Sequence, residues 1–195
     1  MKHYPSIPRF FDRVNDYLGN SCIAFEKLDG SNIRAEWSRK QGWYKFGTRK
    51  TMIGGDSAFK EAVDLIRDTA DIIPLALDNP KFPFVAFFEF LGDNSMAGFH
   101  IPEDPKRIVL IDVSLYKQGM LSPYEFNRLF MNVSTPKVVY EGILTHEFVN
   151  SVKRGEIGSF EGVVVKGIDG KMPWMTKIKS DAWLAEVRRK GLPED

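Results

Sequence analysis

The chain has 195 residues, of which 43% are hydrophobic and 27% charged, and its 27 basic and 26 acidic side chains give a net charge of +1. This composition excludes a disordered chain, and the length is sufficient to bury one substantial core. No apolar run approaches the roughly 20 residues of a membrane helix, so we expect no membrane partner. The single cysteine, Cys22, excludes an internal disulfide framework and a multi-cysteine zinc site. We therefore expect a single domain over residues 1–195, located in the cytoplasm.

The charge is unevenly distributed along the chain. Residues 34–50 carry six basic side chains against one acid, and residues 171–190 carry six against two. Residues 61–104 carry nine acids against two bases. Solvated surface faces would explain each cluster separately. Two basic segments on a nearly neutral chain nevertheless indicate an anionic partner, either nucleotide or nucleic acid.

Short apolar runs predict strands through most of the chain. Alternation over residues 21–27 predicts a strand, and segments 32–37 and 43–48 predict a hairpin around Gly42. Runs 85–91 and 108–115 are apolar on both faces, as in strands covered on both sides. A short strand is predicted at 138–140.

Helices are predicted between these strands. The first is capped by Asp56 or Ser57 and buries one stripe of apolar side chains, namely Phe59, Ala62, Val63, Ile66, Ala70 and Ile73. Residues 122–125, Ser-Pro-Tyr-Glu, form a capping box with proline at the first helical position. Further helices are predicted from 145 to 153 and from Ser180 to Gly191. The pattern indicates an α+β chain with more strand than helix.

A hairpin is predicted near the C-terminus. Segments 158–166 and 172–179 flank Asp169-Gly170, a strong tight-turn signal. A two-residue turn at this place pairs Gly162 with Lys177 and directs Lys177 and Lys179 away from Glu161. Pro173 cannot donate a ladder hydrogen bond, which favours a bulge or shifted register near it.

Lys27 is the first candidate for chemistry. It follows Ile23 and Phe25 on one face of a predicted strand. Burial favours the neutral amine of a lysine, and a neutral amine is a nucleophile. The alternative is a lysine that extends to solvent at the end of its strand.

Four motifs in the chain resemble those of the covalent nucleotidyltransferases, the superfamily of ATP-dependent DNA ligases, RNA ligases and mRNA capping enzymes. Residues 27–32, Lys-Leu-Asp-Gly-Ser-Asn, match the nucleophile motif KxDGxN. Residues 87–89, Phe-Phe-Glu, resemble the third motif, and 161–166, Glu-Gly-Val-Val-Val-Lys, match EGxVxK of the fourth. Residues 176–179, Thr-Lys-Ile-Lys, match the KxK core of the fifth. The motifs occur in the family's order over most of the chain.

The resemblance implies an antiparallel-sheet-rich, ATP-grasp-like ligase adenylation domain with flanking helices. Lys27 would attack the α-phosphate of ATP to form lysyl-AMP, and Lys177 and Lys179 would neutralise the phosphate charge during the transfer. Glu89 and Glu161 would hold Mg²⁺ or Mn²⁺ and the ribose hydroxyls.

The resemblance also implies a wider set of nucleotide contacts. In addition to Glu89 and Glu161, the implied set comprises Glu26, Asp29, Gly30, Asn32, Arg49, Asp112 and Lys166. Asp112 falls where RNA ligases have an aromatic-aspartate pair whose aromatic ring stacks on adenine, and Ile111 occupies the aromatic position here. Val163 or Val164 would pack against the purine instead.

The substrate implied is a nucleic-acid end, with RNA favoured over DNA. RNA ligases usually carry asparagine where Asn32 stands, whereas DNA ligases and capping enzymes carry arginine. An ATP-dependent DNA ligase remains the alternative, as does a stand-alone adenylyltransferase. A non-catalytic nucleotide-binding or RNA-binding module is a further alternative, against which Lys27 argues.

Residues 180–195 suffice for one helix after the fifth motif. We therefore expect neither an OB domain nor another C-terminal domain, and a partner domain or protein in its place for end-joining.

Overall fold

The computed structural model describes residues 1–54, 57–92, 103–169 and 172–192, without the side chains of Val14 and Met172. The chain divides into two compact units. The first unit comprises Met1–Pro5 and Asp29–Thr135, and the second comprises Ser6–Leu28 and Pro136–Asp195. In the described residues, no helix is long and apolar enough to cross a membrane.

Strands and helices are mixed along the chain. A short 3₁₀ helix at Phe10–Asp12 is followed in chain order by α1 (Val14–Tyr17), β1 (Ser21–Glu26), β2 (Ser31–Ser38), β3 (Gly42–Thr48), α2 (Lys60–Thr69), α3 (Ile72–Ala76), β4 (Phe84–Leu91), β5 (Arg107–Leu115), β6 (Gly119–Met120), α4 (Pro123–Leu129), β7 (Val138–Ile143), α5 (His146–Lys153), β8 (Gly162–Asp169), β9 (Met172–Lys179) and α6 (Asp181–Arg189). The predicted α+β class, rich in antiparallel sheet, is confirmed.

The first unit contains a five-stranded antiparallel sheet in the order β3-β2-β4-β5-β6. Strand β4 is central, and seven of its eight residues are buried, which explains its nearly continuous apolar sequence. The sheet's register shifts between Phe87 and Phe88, where Ile111 is the extra residue on β5. Helix α2 packs against β3 and β5.

The apolar stripe predicted for one helix is divided between α2 and α3. Ala62, Val63 and Ile66 are buried on α2, and Ile73 is buried on α3. Pro74 lacks the N–H group that would bond to the Ala70 carbonyl, and its ring would clash with that carbonyl, so α2 ends before it and Pro74 lies in the first turn of α3. Phe59 is the N-cap residue of α2 and makes no side-chain cap; Asp56 lies outside the described residues.

The second unit contains a four-stranded antiparallel sheet in the order β7-β1-β8-β9. One face packs on α5 and the segment before β1, through a core that includes Phe10, Cys22, Ala24, Phe148, Val163, Val165 and Ile178. Because side chains alternate across a strand, the opposite face carries Ile23, Phe25, Val164, Lys166, Met175, Lys177 and Lys179.

The capping box predicted after residue 120 is confirmed, and helices are present in the two later segments that were predicted to be helical. Ser122 and Glu125 form the capping box of α4, with Pro123 in the first turn. Thr145 caps α5, and Ser180 caps α6 by accepting a hydrogen bond from the Trp183 amide. Since α6 follows β9 directly, the Ser180 cap sets where the strand that carries Lys177 and Lys179 ends.

Candidate active site

Lys27 lies one residue beyond β1, and its backbone is held by the segment before β8. Its amide donates a hydrogen bond of 2.9 Å to the Gly162 carbonyl, and its own carbonyl accepts one from the Ser159 hydroxyl. Its Nζ lies 2.8 Å from Glu161 Oε1. The Lys27 side chain is 22% exposed and that of Glu161 only 5%, so the ammonium is accessible while the carboxylate is buried.

The backbone conformation of Gly162 determines where the Glu161 side chain lies. Strict alternation along β8 would turn Glu161 to the core face with Val163, away from the lysines. Gly162 has φ +128°, and a Cβ at this residue would lie 2.1 Å from the Ile178 carbonyl oxygen. Glycine alone tolerates this combination. The carboxylate consequently lies 2.8 Å from Lys27 Nζ and 3.9 Å from Lys179 Nζ.

The β8–β9 ladder corrects the predicted register. Gly162 pairs with Lys179, not with Lys177, and the register continues without a shift to Asp169 opposite Met172. The turn residue Gly170 lies outside the described residues. The bulge or shifted register predicted near Pro173 is wrong, because Pro173 pairs with Ile168 within this unbroken register.

Pro173 removes no hydrogen bond between β8 and β9, because β9 is an edge strand and the Pro173 nitrogen faces away from β8. The Lys177 amide points away from β8 and donates to the Pro8 carbonyl at 3.0 Å. Pro173 is four residues earlier and has the same parity, so its nitrogen also faces away from β8.

Lysines concentrate on this face of the second unit's sheet. Lys166 and Lys177 are directed there by β8 and β9, beside Lys27 and Lys179. Lys166 is 6% exposed, with its Nζ 5.2 Å from the centre of the Phe25 ring. Lys179 Nζ lies 3.9 Å from the centre of the Trp183 ring. Such ammonium groups, drawn partly out of water, favour an anionic ligand.

Glu26 is not brought to the lysine face. It precedes Lys27 on β1 and alternates to the other side, where its Oε1 accepts a 3.2 Å hydrogen bond from the Lys137 amide. The predicted nucleotide contact of Glu26 has no geometric support in the second unit.

The first unit brings Gly30, Asn32 and Glu89 together. The Gly30 amide donates to Glu89 Oε1 at 3.2 Å, and Asn32 pairs with Glu89 across β2 and β4. A Cβ at Gly30 would lie 2.5 Å from the Phe90 carbonyl oxygen, so only glycine fits. In the described part of the chain, the buried amide oxygen and nitrogen of Asn32 have no hydrogen-bond partner. An amide of this kind is suited to a polar ligand. Asp29 directly precedes this group and is half-buried.

Asp112 and Arg49 are contacted by the N-terminal segment of the same unit. The Tyr4 hydroxyl donates to Asp112 Oδ2 at 2.5 Å, and Asp112 is 3% exposed. Burial, followed by the Asp112 charge, raises the pKa of Tyr4 well above its usual value. Arg49 Nη2 donates to the Pro5 carbonyl at 3.1 Å. No motif spacing connects Tyr4 with Asp112, so this contact could not be predicted from the sequence.

Arg34 and Ser159 were also missed. Arg34 is 2% exposed, and its guanidinium donates to the Lys2 carbonyl at 3.2 Å. Burial lowers its pKa. The sequence signal for Arg34 was its alternation with Asn32 and Glu36 on β2; Ser159 gave none beyond its proximity to the fourth motif.

The described residues provide no cage for a resident metal. None of their His, Cys, Asp and Glu side chains form a group of three that could hold an ion. Mg²⁺ commonly binds through one or two carboxylates together with phosphate oxygens and water. Glu161 and Glu89 each offer one carboxylate, so the residues fit a divalent ion that arrives with a nucleotide.

The fold is similar to that of RNA ligase structures from Naegleria gruberi. A variant solved with ATP and manganese has a TM-score of 0.71 at 16% identity, over 96% of this chain and 60% of that one. A variant with AMP and manganese gives 0.73 at 17% identity, over 95% and 58%. The ligase with pyrophosphate gives 0.71 at 16%, over 97% and 58%.

This chain therefore spans about three fifths of the length of these ligases. No protein-family model and no curated protein matches it. At such identities the likeness concerns the fold, and the predicted nucleotidyltransferase-like fold is confirmed.

Proposed function

We propose that the chain is the adenylating part of an ATP-dependent polynucleotide ligase, with RNA as its preferred substrate. The observation that carries the proposal is the 2.8 Å contact between Lys27 Nζ and Glu161 Oε1, on a sheet face that also bears Lys177 and Lys179. A partly exposed amine held by a buried carboxylate, among further cations, is suited to attack on a phosphoanhydride.

The first step would transfer AMP to the protein. Lys27 Nζ would attack the α-phosphorus of ATP with its lone pair, an N–P bond would form, and the bond to the pyrophosphate oxygen would break. Pyrophosphate would leave with the electron pair of that bond, and the proton lost by Nζ would go to water or to pyrophosphate. Glu161 would orient the amine through its hydrogen bond. Phosphoryl transfer depends chiefly on positioning and charge neutralisation, which Lys177 and Lys179 would provide at the phosphate oxygens. When bound, Mg²⁺ or Mn²⁺ would supply further charge neutralisation.

Two later steps would join nucleic-acid ends. A 5′-phosphate oxygen would attack the phosphorus of lysyl-AMP, releasing Lys27 and forming a 5′–5′ pyrophosphate. A 3′-hydroxyl would then attack the strand's 5′-phosphorus and release AMP.

Val164 shares a face with Lys177 and is proposed to pack against the purine.

The first unit, taken by itself, also carries groups that we propose as nucleotide contacts. The Asn32 amide is suited to a ribose or base, and Glu89, held by the Gly30 amide, is suited to a ribose hydroxyl or a nucleotide-borne cation. Asp29, Arg49, Asp112 and Lys166 stay proposed contacts from the sequence resemblance. We also propose that end-joining involves a partner domain or protein, and that the chain acts in the cytoplasm.

A two-stage experiment tests this function. The protein is first incubated with radiolabelled ATP and Mg²⁺, where a covalent AMP adduct supports an enzyme and its absence supports a binding module. It is then given matched nicks with ribonucleotides or deoxyribonucleotides on the 3′-hydroxyl side, starting from pre-adenylated 5′ ends. Proteins recognise RNA through its 2′-hydroxyls and A-form groove, so we expect faster sealing of the RNA nick.

The other possible results of this experiment would support the alternative functions. Equal or faster sealing of the all-DNA nick would move the assignment to DNA ligase. A self-adenylated protein that seals neither nick would indicate a stand-alone adenylyltransferase or a required partner. Addition of a candidate partner domain then separates these two possibilities.

A further inference from the structure

The first unit contains a pocket that lies outside all four motifs. It has a volume of about 440 Å³ and lies along β3 and α2. That volume is within the range of roughly 300–1,000 Å³ typical of small-molecule sites. Its walls include Tyr44 and Phe46 from β3 and Val63 from α2.

The charge of this pocket is predominantly positive. Among the described residues, Lys45, Lys60 and Arg67 line it together with one acid, Asp64. None of these three cations forms an ion pair with another described residue. Arg67 is held over the Phe46 ring, with its guanidinium carbon 4.9 Å from the ring centre. Three cations that pair with no carboxylate among the described residues, all around one cavity, favour an anionic occupant.

Aromatic and apolar walls beside these cations indicate a ligand with both a charged and a planar part. A nucleotide combines phosphate with a base that can pack on the partly exposed Tyr44 ring. The pocket opens to solvent, since Lys45, Met52 and Lys60 at its border are exposed. An open pocket allows a chain to enter and leave, which suits one nucleotide of a strand better than a free mononucleotide.

We propose that this pocket binds a nucleotide of the RNA strand, with Lys45, Lys60 and Arg67 at its phosphate. The proposal deepens the proposed function and rests on it for the identity of the strand. It also accounts for part of the basic segment at 34–50, whose Lys45 has no place in the adenylation motifs.

The test measures RNA binding and self-adenylation separately. Binding of a 5′-phosphorylated, single-stranded RNA 12-mer is followed by fluorescence anisotropy as a function of salt. The variant Lys45→Glu/Lys60→Glu reverses two exposed charges in the pocket. Lys81→Glu/Lys117→Glu is the matched control, because both lysines are exposed, belong to the first unit and lie outside the pocket.

The pocket variant should raise the Kd for RNA about tenfold at low salt and lower the log–log salt slope by about 1.4, since each single-strand phosphate contact contributes about 0.7. The control should change the Kd less than about twofold, consistent with charge changes away from the contacts. Both variants should form the AMP adduct at the wild-type rate. If the wild-type protein forms no adduct while RNA binding changes as expected, the result counts against the proposed function and not against the pocket.

Three results would overturn the pocket assignment. The first is an equal loss of RNA affinity in the two variants, which would reflect net charge. The second is complete displacement of the RNA by AMP at comparable concentration, which would indicate a mononucleotide site. The third is photocrosslinking of 4-thiouridine RNA to the protein without any crosslink to residues 44–67, where the proposal expects one.

Discussion

Lys27 Nζ and Glu161 Oε1 lie 2.8 Å apart although their residues are separated by 134 positions in the sequence. The antiparallel pairing of β1 with β8 brings them together, and the hydrogen bond from the Lys27 amide to the Gly162 carbonyl fixes their register. The lysine is thus anchored through its backbone and oriented through its side chain.

Glu161→Ala should slow formation of the AMP adduct about 10²-fold, because a misplacement of about 1 Å can cost that much. Glu161→Gln keeps an oxygen that can accept a hydrogen bond from the amine and should be less impaired. Single-turnover incorporation of radiolabelled AMP at saturating ATP measures both rates. Glu156→Gln, at an exposed acid of the same unit, serves as the control. A wild-type rate for Glu161→Ala would contradict a positioning role.

Gly162→Ala should destabilise the protein by about 3 kcal/mol or more, through positive-φ strain and a backbone clash. The added Cβ would meet the Ile178 carbonyl oxygen at 2.1 Å. Gly155→Ala is the matched control, with φ +75° and no atom within 4 Å of the added Cβ. It should lose only about 1 kcal/mol. Urea denaturation measures both changes, and equal losses would show that the contact at Gly162 is unimportant.

The sequence predicted which strands surround this site, but it did not predict how those strands pair or how the Glu161 side chain is oriented. The periodicity of residues 21–27 and the KxK spacing placed Lys27, Lys177 and Lys179 on strands, and those strands are present. The orientation of Glu161 could not be predicted, because it depends on the φ angle of one glycine and on the proximity of Ile178. The predicted pairing of β8 with β9 was wrong by two residues, since the Asp-Gly signal indicates a tight turn but does not fix which residues pair on either side of it.

Contacts between segments that are far apart in the sequence could not be predicted either. Tyr4 lies 108 residues from Asp112 and belongs to no motif, yet it donates to the buried carboxylate. The α4 cap, in contrast, was predictable because Ser122 acts on the amide of Glu125, three residues later. Local patterns therefore predicted local structure, and pairing between distant segments required the fold.

Tyr4→Phe should lower the free energy of unfolding by about 1–3 kcal/mol, because a buried carboxylate loses a hydrogen-bond donor. The aromatic contact with Phe87, whose ring centre lies 5.0 Å away, is retained in this variant. Tyr116→Phe, at a 52% exposed tyrosine, should change stability by less than about 0.5 kcal/mol. Urea titrations at pH 7 compare the two. A Tyr4→Phe variant as stable as Tyr116→Phe would contradict the importance of the Tyr4–Asp112 hydrogen bond.

Cys22 should be protected from alkylation at pH 8. Its side chain is fully buried, and burial raises the pKa of the thiol to about 11. The raised pKa means that its contribution to stability is complete below about pH 9 and is lost as the pH rises towards 11. Iodoacetamide should therefore react roughly 10²-fold more slowly with the folded protein than with protein in denaturant. Equal rates would show that the core around β1 opens readily.

The most direct test of the central claim is the mass of the peptide that contains Lys27 after incubation with ATP and Mg²⁺. Our account predicts a gain of one AMP on Lys27, through a phosphoramidate that is labile in acid and stable in alkali. Lys27→Ala should abolish the gain, and so should Lys27→Arg, because a guanidinium stays protonated and is a poor nucleophile. Lys153→Ala, at a lysine of the same unit outside the motifs, should keep it. An adduct on Lys27→Ala, or AMP on another residue of the wild-type protein, would contradict the assignment of Lys27 as the nucleophile.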